Sequence, residues 1–417
     1  MMFSKEKINN MNFKILVLSF VLLSAVYSII LNAIKLRSAK NPTPESVSDI
    51  YDAETYAKWR RYSAEHCKLS IISTVVTRLV SLILLATNVY SAFASLFPSN
   101  IHFQLLAVVI LEAVVGTVVG IVFNYVKTLV IEQKYGFNRA TLKTFIFDEI
   151  RSLIVNLLLS IGLAELMTLL SINGILIIVF AVVFFAVTML ISHLYPYLSR
   201  IGNKFTPLED GELKGRLLEM LSKHGYSVKA IEVMDASRRT TKINAYIAGF
   251  GKTKTIVLYD NMLEKMSNDE ICAIFAHEMG HGLHKDVLKG QLMSIGYIAL
   301  ISALVYLSVF EPRFYTAFGF TSVNYGFAYL LVSVGLGVLQ PLTSMAMNAR
   351  SRRAEYAADR QAVIEGYGEP MISAFKKLAK DNFVNLSPSK INVILEYSHP
   401  PIHCRIDAVR AQMKKGN

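Results

Sequence analysis

Residues 101–126 read IHFQLLAVVILEAVVGTVVGIVFNYV. Glu112 is the one acid in the run, and no lysine or arginine interrupts it. A bilayer core needs about 20 apolar residues in helical form, so this stretch reads as a membrane-spanning helix. The same reading applies to residues 15–34, 79–97, 153–170, 172–195, 292–310 and 323–347, giving seven expected spans. Asn173-Gly174 between the fourth and fifth reads as a tight helical hairpin. Composition agrees: 53% of the 417 residues are hydrophobic and 18% charged, against about 25% charged in soluble domains. An ordinary soluble domain and a disordered chain are both excluded. Three cysteines, Cys67, Cys272 and Cys404, cannot build a disulfide framework.

The basic residues orient the spans. Lys35, Arg37, Lys40, Lys58, Arg60, Arg61 and Lys68 follow the first span, and Lys127, Lys134, Arg139, Lys143 and Arg151 follow the third. Only Lys5, Lys7, Lys14 and Arg313 flank the other side. The positive-inside rule makes the richer side cytoplasmic. The net charge of +12 then reflects membrane orientation and anionic lipid rather than nucleic acid, for which no motif is present. Four segments are expected: 1–198 with spans one to five, 199–290 as a first soluble part, 291–347 with spans six and seven, and 348–417 as a second soluble part. Neither soluble part is long enough to stand comfortably alone, so the two are expected to fold together. Glu112 and Glu165 fall inside spans and must avoid lipid. They are either buried structural hydrogen bonds or the lining of a polar interior.

The chemistry centres on His277-Glu278-Met279-Gly280-His281. Ser267-Asn268-Asp269-Glu270 ahead of it has the form of a capping box, which starts a helix. On that helix His277 and His281 sit one turn apart on one face and can share one Zn²⁺. Glu278 can take a proton from metal-bound water. A catalytic zinc needs a third protein ligand. Glu355 and Asp359, four residues apart on one helix face, supply a candidate ligand and a carboxylate to orient a histidine. Spacing alone leaves them between that role and a solvated face balanced by Arg352, Arg353 and Arg360.

The zinc pattern with its later Glu355-x-x-x-Asp359 resembles the gluzincins. Glu132-Gln133-Lys134-Tyr135-Gly136-Phe137-Asn138-Arg139, Tyr51-Asp52-Ala53-Glu54, Asn244-Ala245-Tyr246 and Ser398-His399-Pro400-Pro401 narrow the likeness. In order and over essentially the whole chain, they resemble the type I CAAX prenyl proteases, Ste24-like integral-membrane zinc metalloproteases. The resemblance implies an all-α dominated membrane protein. Seven transmembrane helices would enclose a chamber, with a gluzincin-like α+β zinc metalloprotease domain on the cytoplasmic side.

It also implies one Zn²⁺ per chain held by His277, His281 and Glu355, with Asp359 behind them. The expected activity is removal of the last three residues from an isoprenylated CaaX peptide or protein, and the partners are that substrate and membrane lipid. Nothing calls for an obligate protein partner. Asn244, Ala245 and Tyr246 resemble the edge strand that pairs with substrate backbone, though residues 245–250 also read as an ordinary hairpin strand packed on 255–259. His399 resembles the histidine that steadies the oxyanion, unless it caps the turn before Pro400-Pro401. Arg405 resembles the arginine beside it. The membrane would be the endoplasmic reticulum in a eukaryote or the inner membrane in a bacterium. Two other readings compete: an HtpX-like quality-control protease, disfavoured by the span count, and a seven-helix transporter or receptor with a degenerate zinc site.

Overall fold

The computed structural model describes residues 2–171, 176–248 and 254–416. The chain opens with the long helices α1 (Met2–Ser38) and α2 (Ala53–Ala86) and the short α3 (Val89–Ala94). Next comes α4 (Ile101–Tyr125), which runs on through a π-helical turn at Val126–Glu132. Then follow α5 (Leu142–Ser171) and α6 (Leu176–Leu198). A mixed segment carries β1 (Phe205–Pro207), α7 (Glu212–Lys223), β2 (Ala230–Met234), β3 (Ala245–Ala248), β4 (Thr255–Tyr259), α8 (Asp260–Lys265) and α9 (Asn268–Leu283). The chain returns to long apolar helices in α10 (Asp286–Phe310), the short α11 (Arg313–Ala317), and α12 (Tyr325–Ile364). It ends with α13 (Gly368–Asp381), α14 (Lys390–Leu395) and α15 (Ile402–Gly416).

Among the described residues, six helices are long and apolar enough to cross a membrane: those beginning at Asn10, Ala53, Ile101, Leu142, Asp286 and Tyr325. The expected fifth span lies on α6, whose described apolar stretch, Ile178–Leu194, is shorter. The Asn173-Gly174 hairpin lies outside the described residues. Large apolar side chains such as Leu22, Ile83, Val118 and Leu158 point outward, whereas Leu85, Leu105 and Phe327 are buried between helices. That inside-out pattern suits a bundle whose surroundings are hydrocarbon rather than water.

The second span is not where hydropathy put it. The apolar run 79–97 is two helices, not one. Asn88 takes a left-handed φ of 57° between α2 and α3, and its side chain accepts from Lys14 Nζ at 2.7 Å. Apolar residues continue through α3, so a count of hydrophobicity passes over the break. The membrane helix instead starts at Ala53, capped by the Asp52 carboxylate on Thr55 N at 2.7 Å. Two expected segment boundaries also fall inside continuous helices, at 290/291 in α10 and at 347/348 in α12. Pro341 does not interrupt α12.

The mixed segment and the tail share one core, in which Ile256, Phe275, Phe375 and Ile406 are all buried. The first loop joins it. Trp59 Nε1 donates to Phe383 O at 3.0 Å, and Tyr51 Oη donates to Ala379 O at 2.7 Å. The sheet has the order β1-β2-β4-β3, parallel between β2 and β4 and antiparallel at both edges. Among the described residues β3 is thus an edge strand of the sheet.

Candidate metal centre

Helix α9 begins with the expected capping box. Glu270 N donates to Ser267 Oγ at 3.3 Å, and Ser267 N donates to Glu270 Oε2 at 2.8 Å. Glu270 also accepts from Ser373 and Lys377 of α13, at 2.7 Å each, which pins the helix start to the tail. Further along, α9 packs its backbone onto α12. A Cβ at Gly280 would lie 3.0 Å from Ala358 Cα and 3.0 Å from Gln361 Cβ. Glycine permits that approach, and the approach sets the two histidines opposite the acids of α12.

His277 Nε2 lies 3.5 Å from Glu355 Oε2, and His281 Nε2 lies 3.4 Å from Glu355 Oε1. One donor atom from each of the three residues falls within 4.8 Å of the other two. Each histidine is oriented from behind. His277 Nδ1 sits 2.9 Å from Asp359 Oδ1, and His281 Nδ1 sits 3.0 Å from Asp286 Oδ2. These carboxylates fix the tautomer that leaves Nε2 as a lone-pair donor. Asp359 is held in turn by Arg405, through Nε at 2.9 Å and Nη2 at 2.6 Å. Arg405 Nη2 also lies 3.1 Å from Glu355 Oε2, yet that buried oxygen has no hydrogen-bond partner among the described residues. A carboxylate with one oxygen unsatisfied, its two oxygens each facing an imidazole nitrogen, fits a divalent cation of the zinc type.

The site opens on a cavity of about 650 Å³ lined by Asn244, Ala245, Tyr246, His277, Glu278, His281, Glu355, His399 and Arg405. Asp359 stands behind it, 1% exposed. Burial raises the Glu278 carboxyl above its usual range, against the pull of both histidines. A raised carboxyl holds a captured proton more readily, as a general base must. His399 is on the exposed rim, with Nδ1 3.6 Å from Glu355 Oε1. Arg405 is 7% exposed and acts first as a brace for the two acids.

The edge strand is held in register just before it reaches the cavity. Ile243 exchanges two 3.2 Å hydrogen bonds with the Asn382 side chain, and Asn261 Nδ2 donates to Lys242 O at 2.9 Å. Lys242 Nζ meets Glu132 Oε2 at 3.0 Å, and Tyr62 Oη donates to Glu132 Oε1 at 2.7 Å. The loop stretch from Glu132 to Arg139 thus supports the strand. Asp286 escaped sequence reading. It follows Lys285, whose left-handed φ of 55° turns α9 into α10 and brings an acid five residues on back to His281. An aspartate just past the histidines was the only signal available.

Away from the metal centre, His66 lies 3.2 Å from Glu132, His102 lies 2.8 Å from Glu165, and His224 lies 2.6 Å from Glu365. Glu112 accepts from Tyr90 Oη and lines a second cavity, of about 380 Å³, between α4, α5 and α12.

Comparison with known proteins accords with this geometry. The model of "Peptidase family M48" matches residues 207–413, and that of "CAAX prenyl protease N-terminal, five membrane helices" matches residues 32–200. The chain is 27% identical to the CAAX prenyl protease 1 homolog of Arabidopsis thaliana, covering 96% of this chain and 98% of that one. It is 29% identical to CAAX prenyl protease 1 of Saccharomyces cerevisiae, covering 88% of each. The crystal structure of S. mikatae Ste24p superposes with a TM-score of 0.88 at 26% identity, covering 95% of this chain and 99% of that one. With both regions matched and the whole fold shared, the chain belongs to peptidase family M48, as a multi-pass membrane metalloprotease of the CAAX prenyl protease type.

Proposed function

We propose that this chain removes the aaX tripeptide from isoprenylated CaaX tails, with one zinc held by His277, His281 and Glu355. The observation that carries this is the single cavity in which those three residues, Glu278 and the edge strand β3 converge. When bound, zinc supplies a polarising charge and an activated water. Glu278 accepts the proton and passes it to the leaving amine. The backbone of Asn244, Ala245 and Tyr246 pairs with the substrate as an added strand. His399 donates to the developing oxyanion from the rim, and Arg405 adds positive charge beneath it while bracing Asp359 and Glu355.

With α6 as the remaining span, seven helices surround a water-filled interior, and Glu112, Asn124, Glu149 and Asn156 on one cavity wall support it. The gluzincin-like lobe faces the cytoplasm, an orientation that the lysines and arginines around α2 and α5 support, in the endoplasmic reticulum or an inner membrane according to the host. Cysteines placed at Lys40 and Ser322 should label from opposite faces, and labelling of both from one face overturns this topology. The activity is tested with farnesylated and unmodified CaaX peptides. Release of an intact tripeptide from the farnesylated peptide, much faster than from its unmodified twin, is the expected result. Equal cleavage of both, or cuts scattered along the peptide, would contradict it.

A further inference from the structure

Two arginines line the metal cavity, Arg405 and Arg350. Arg405 is engaged by Asp359 and Glu355. Arg350 is different. Its Nη2 donates to the backbone carbonyl of Asp286 at 2.9 Å, and a Cβ at Gly290 would come within 3.3 Å of its Nη1. Among the described residues it has no carboxylate within ion-pair distance. A guanidinium carries five N–H donors in a planar fork that matches a carboxylate. At this wall of the cavity the fork is paired with no protein carboxylate among the described residues and is free to take a carboxylate from a bound chain.

Position narrows which anion. Arg350 precedes Glu355 by five residues on α12, about 7.5 Å along the helix axis, and its side chain extends that reach. An extended peptide advances about 3.3 Å per residue, so three residues beyond a cut end about 10 Å from the scissile carbonyl. With the reach of the arginine side chain added, the two lengths are of the same order. We infer that Arg350 binds the free α-carboxylate at the end of the substrate, and so helps fix the cut three residues from the terminus. This rests on the CaaX-tail reading above. It adds a subsite for the chain end to a site otherwise defined by metal, base and strand edge. Gly290 on α10 leaves room for the guanidinium, and the bond to Asp286 O holds it at the cavity wall.

The test compares two farnesylated CaaX peptides that differ only at the C-terminus, one a free acid and one a carboxamide. Wild type should prefer the acid by about ten- to a hundredfold in kcat/KM, the scale of a hydrogen bond to a charged group. Arg350→Met should bring the acid down to the amide. Arg350→Lys, which keeps a point charge without the fork, should recover part of the preference. Metal content is measured on each variant, since Arg350 also touches the residue that orients His281. If Arg350→Met slows both peptides alike and keeps the acid preference, Arg350 is only a tether and the inference is overturned. Equal cleavage of acid and amide by wild type overturns it too, while leaving the proposed activity standing. Cleavage of neither peptide by wild type brings down that activity and this inference together.

Discussion

The metal cavity and the cavity between the membrane helices hold the same kind of side chain in opposite ways. Around the metal centre the acids meet cationic or titratable partners on other elements: Asp359 with Arg405, Asp286 with His281, Glu355 with Arg405 and both histidines. Between the membrane helices, Glu112 accepts from the Tyr90 hydroxyl and Glu149 from the Asn124 amide. Among the described residues, neither has a cation within ion-pair distance. Charge is paired and fixed at the metal centre, while the cavity between the membrane helices is polar but held, among the described residues, by neutral donors. Removing one partner from the first set should therefore cost far more than neutralising an acid in the second.

The sharpest way to break this contrast is Glu278→Gln. The amide keeps size and hydrogen bonding but cannot take a proton. Peptidase turnover should fall by at least about 10²-fold while metal content stays at the wild-type level. Near-normal turnover would remove Glu278 from the mechanism.

Next come the two orienting acids. Asp359→Asn and Asp286→Asn should each weaken metal affinity by about 10–100-fold, measured by competition with a chelator. A loss with Asp359→Asn alone would show that His281 needs no partner and that the two halves of the site are built differently.

A smaller effect should appear with pH. Burial works against the proton on His281, but Glu355 and Asp286 raise its pKa to about 9 from the ordinary 6.5. Being raised, it stabilises the metal-free fold fully below about 6.5, and that contribution is lost as pH rises through about 9. Metal binding runs the other way, because the cation competes with the proton. Apparent metal affinity should rise by up to about tenfold per pH unit between 6.5 and 9. A flat profile in a metal titration across that range would contradict the pairing seen around His281.

The smallest change is predicted for the membrane cavity. Glu112→Gln keeps an acceptor for Tyr90, so activity should drop by less than about tenfold, in keeping with one neutral hydrogen bond. A loss as large as that of Glu278→Gln would mean that the membrane cavity takes part in the chemistry.

Much of this was legible in the sequence, and the gaps have physical causes. The histidine pair and the acids of α12 were readable because a helix turns spacing into facing. The close approach at Gly280 was not, because it depends on Ala358 from a helix nearly eighty residues later. Hydropathy found the long helices but misplaced the second. It sums residues without seeing a left-handed turn at Asn88, and it discounts the polar first half of α2. Asp286 was missed for a similar reason, since the turn at Lys285 carries it back to His281. No spacing pointed to where Tyr51 and the α2 residue Trp59 pack, against α13 and the turn after it.

Helices α9 and α12 are expected to hold one zinc between them. Metal analysis of the purified protein tests it directly. Wild type should carry one zinc per chain, removed by a chelator together with peptidase activity, and Glu355→Ala should carry little or none. Full zinc content with intact activity in Glu355→Ala would contradict the account, because the third ligand would then lie somewhere other than on α12.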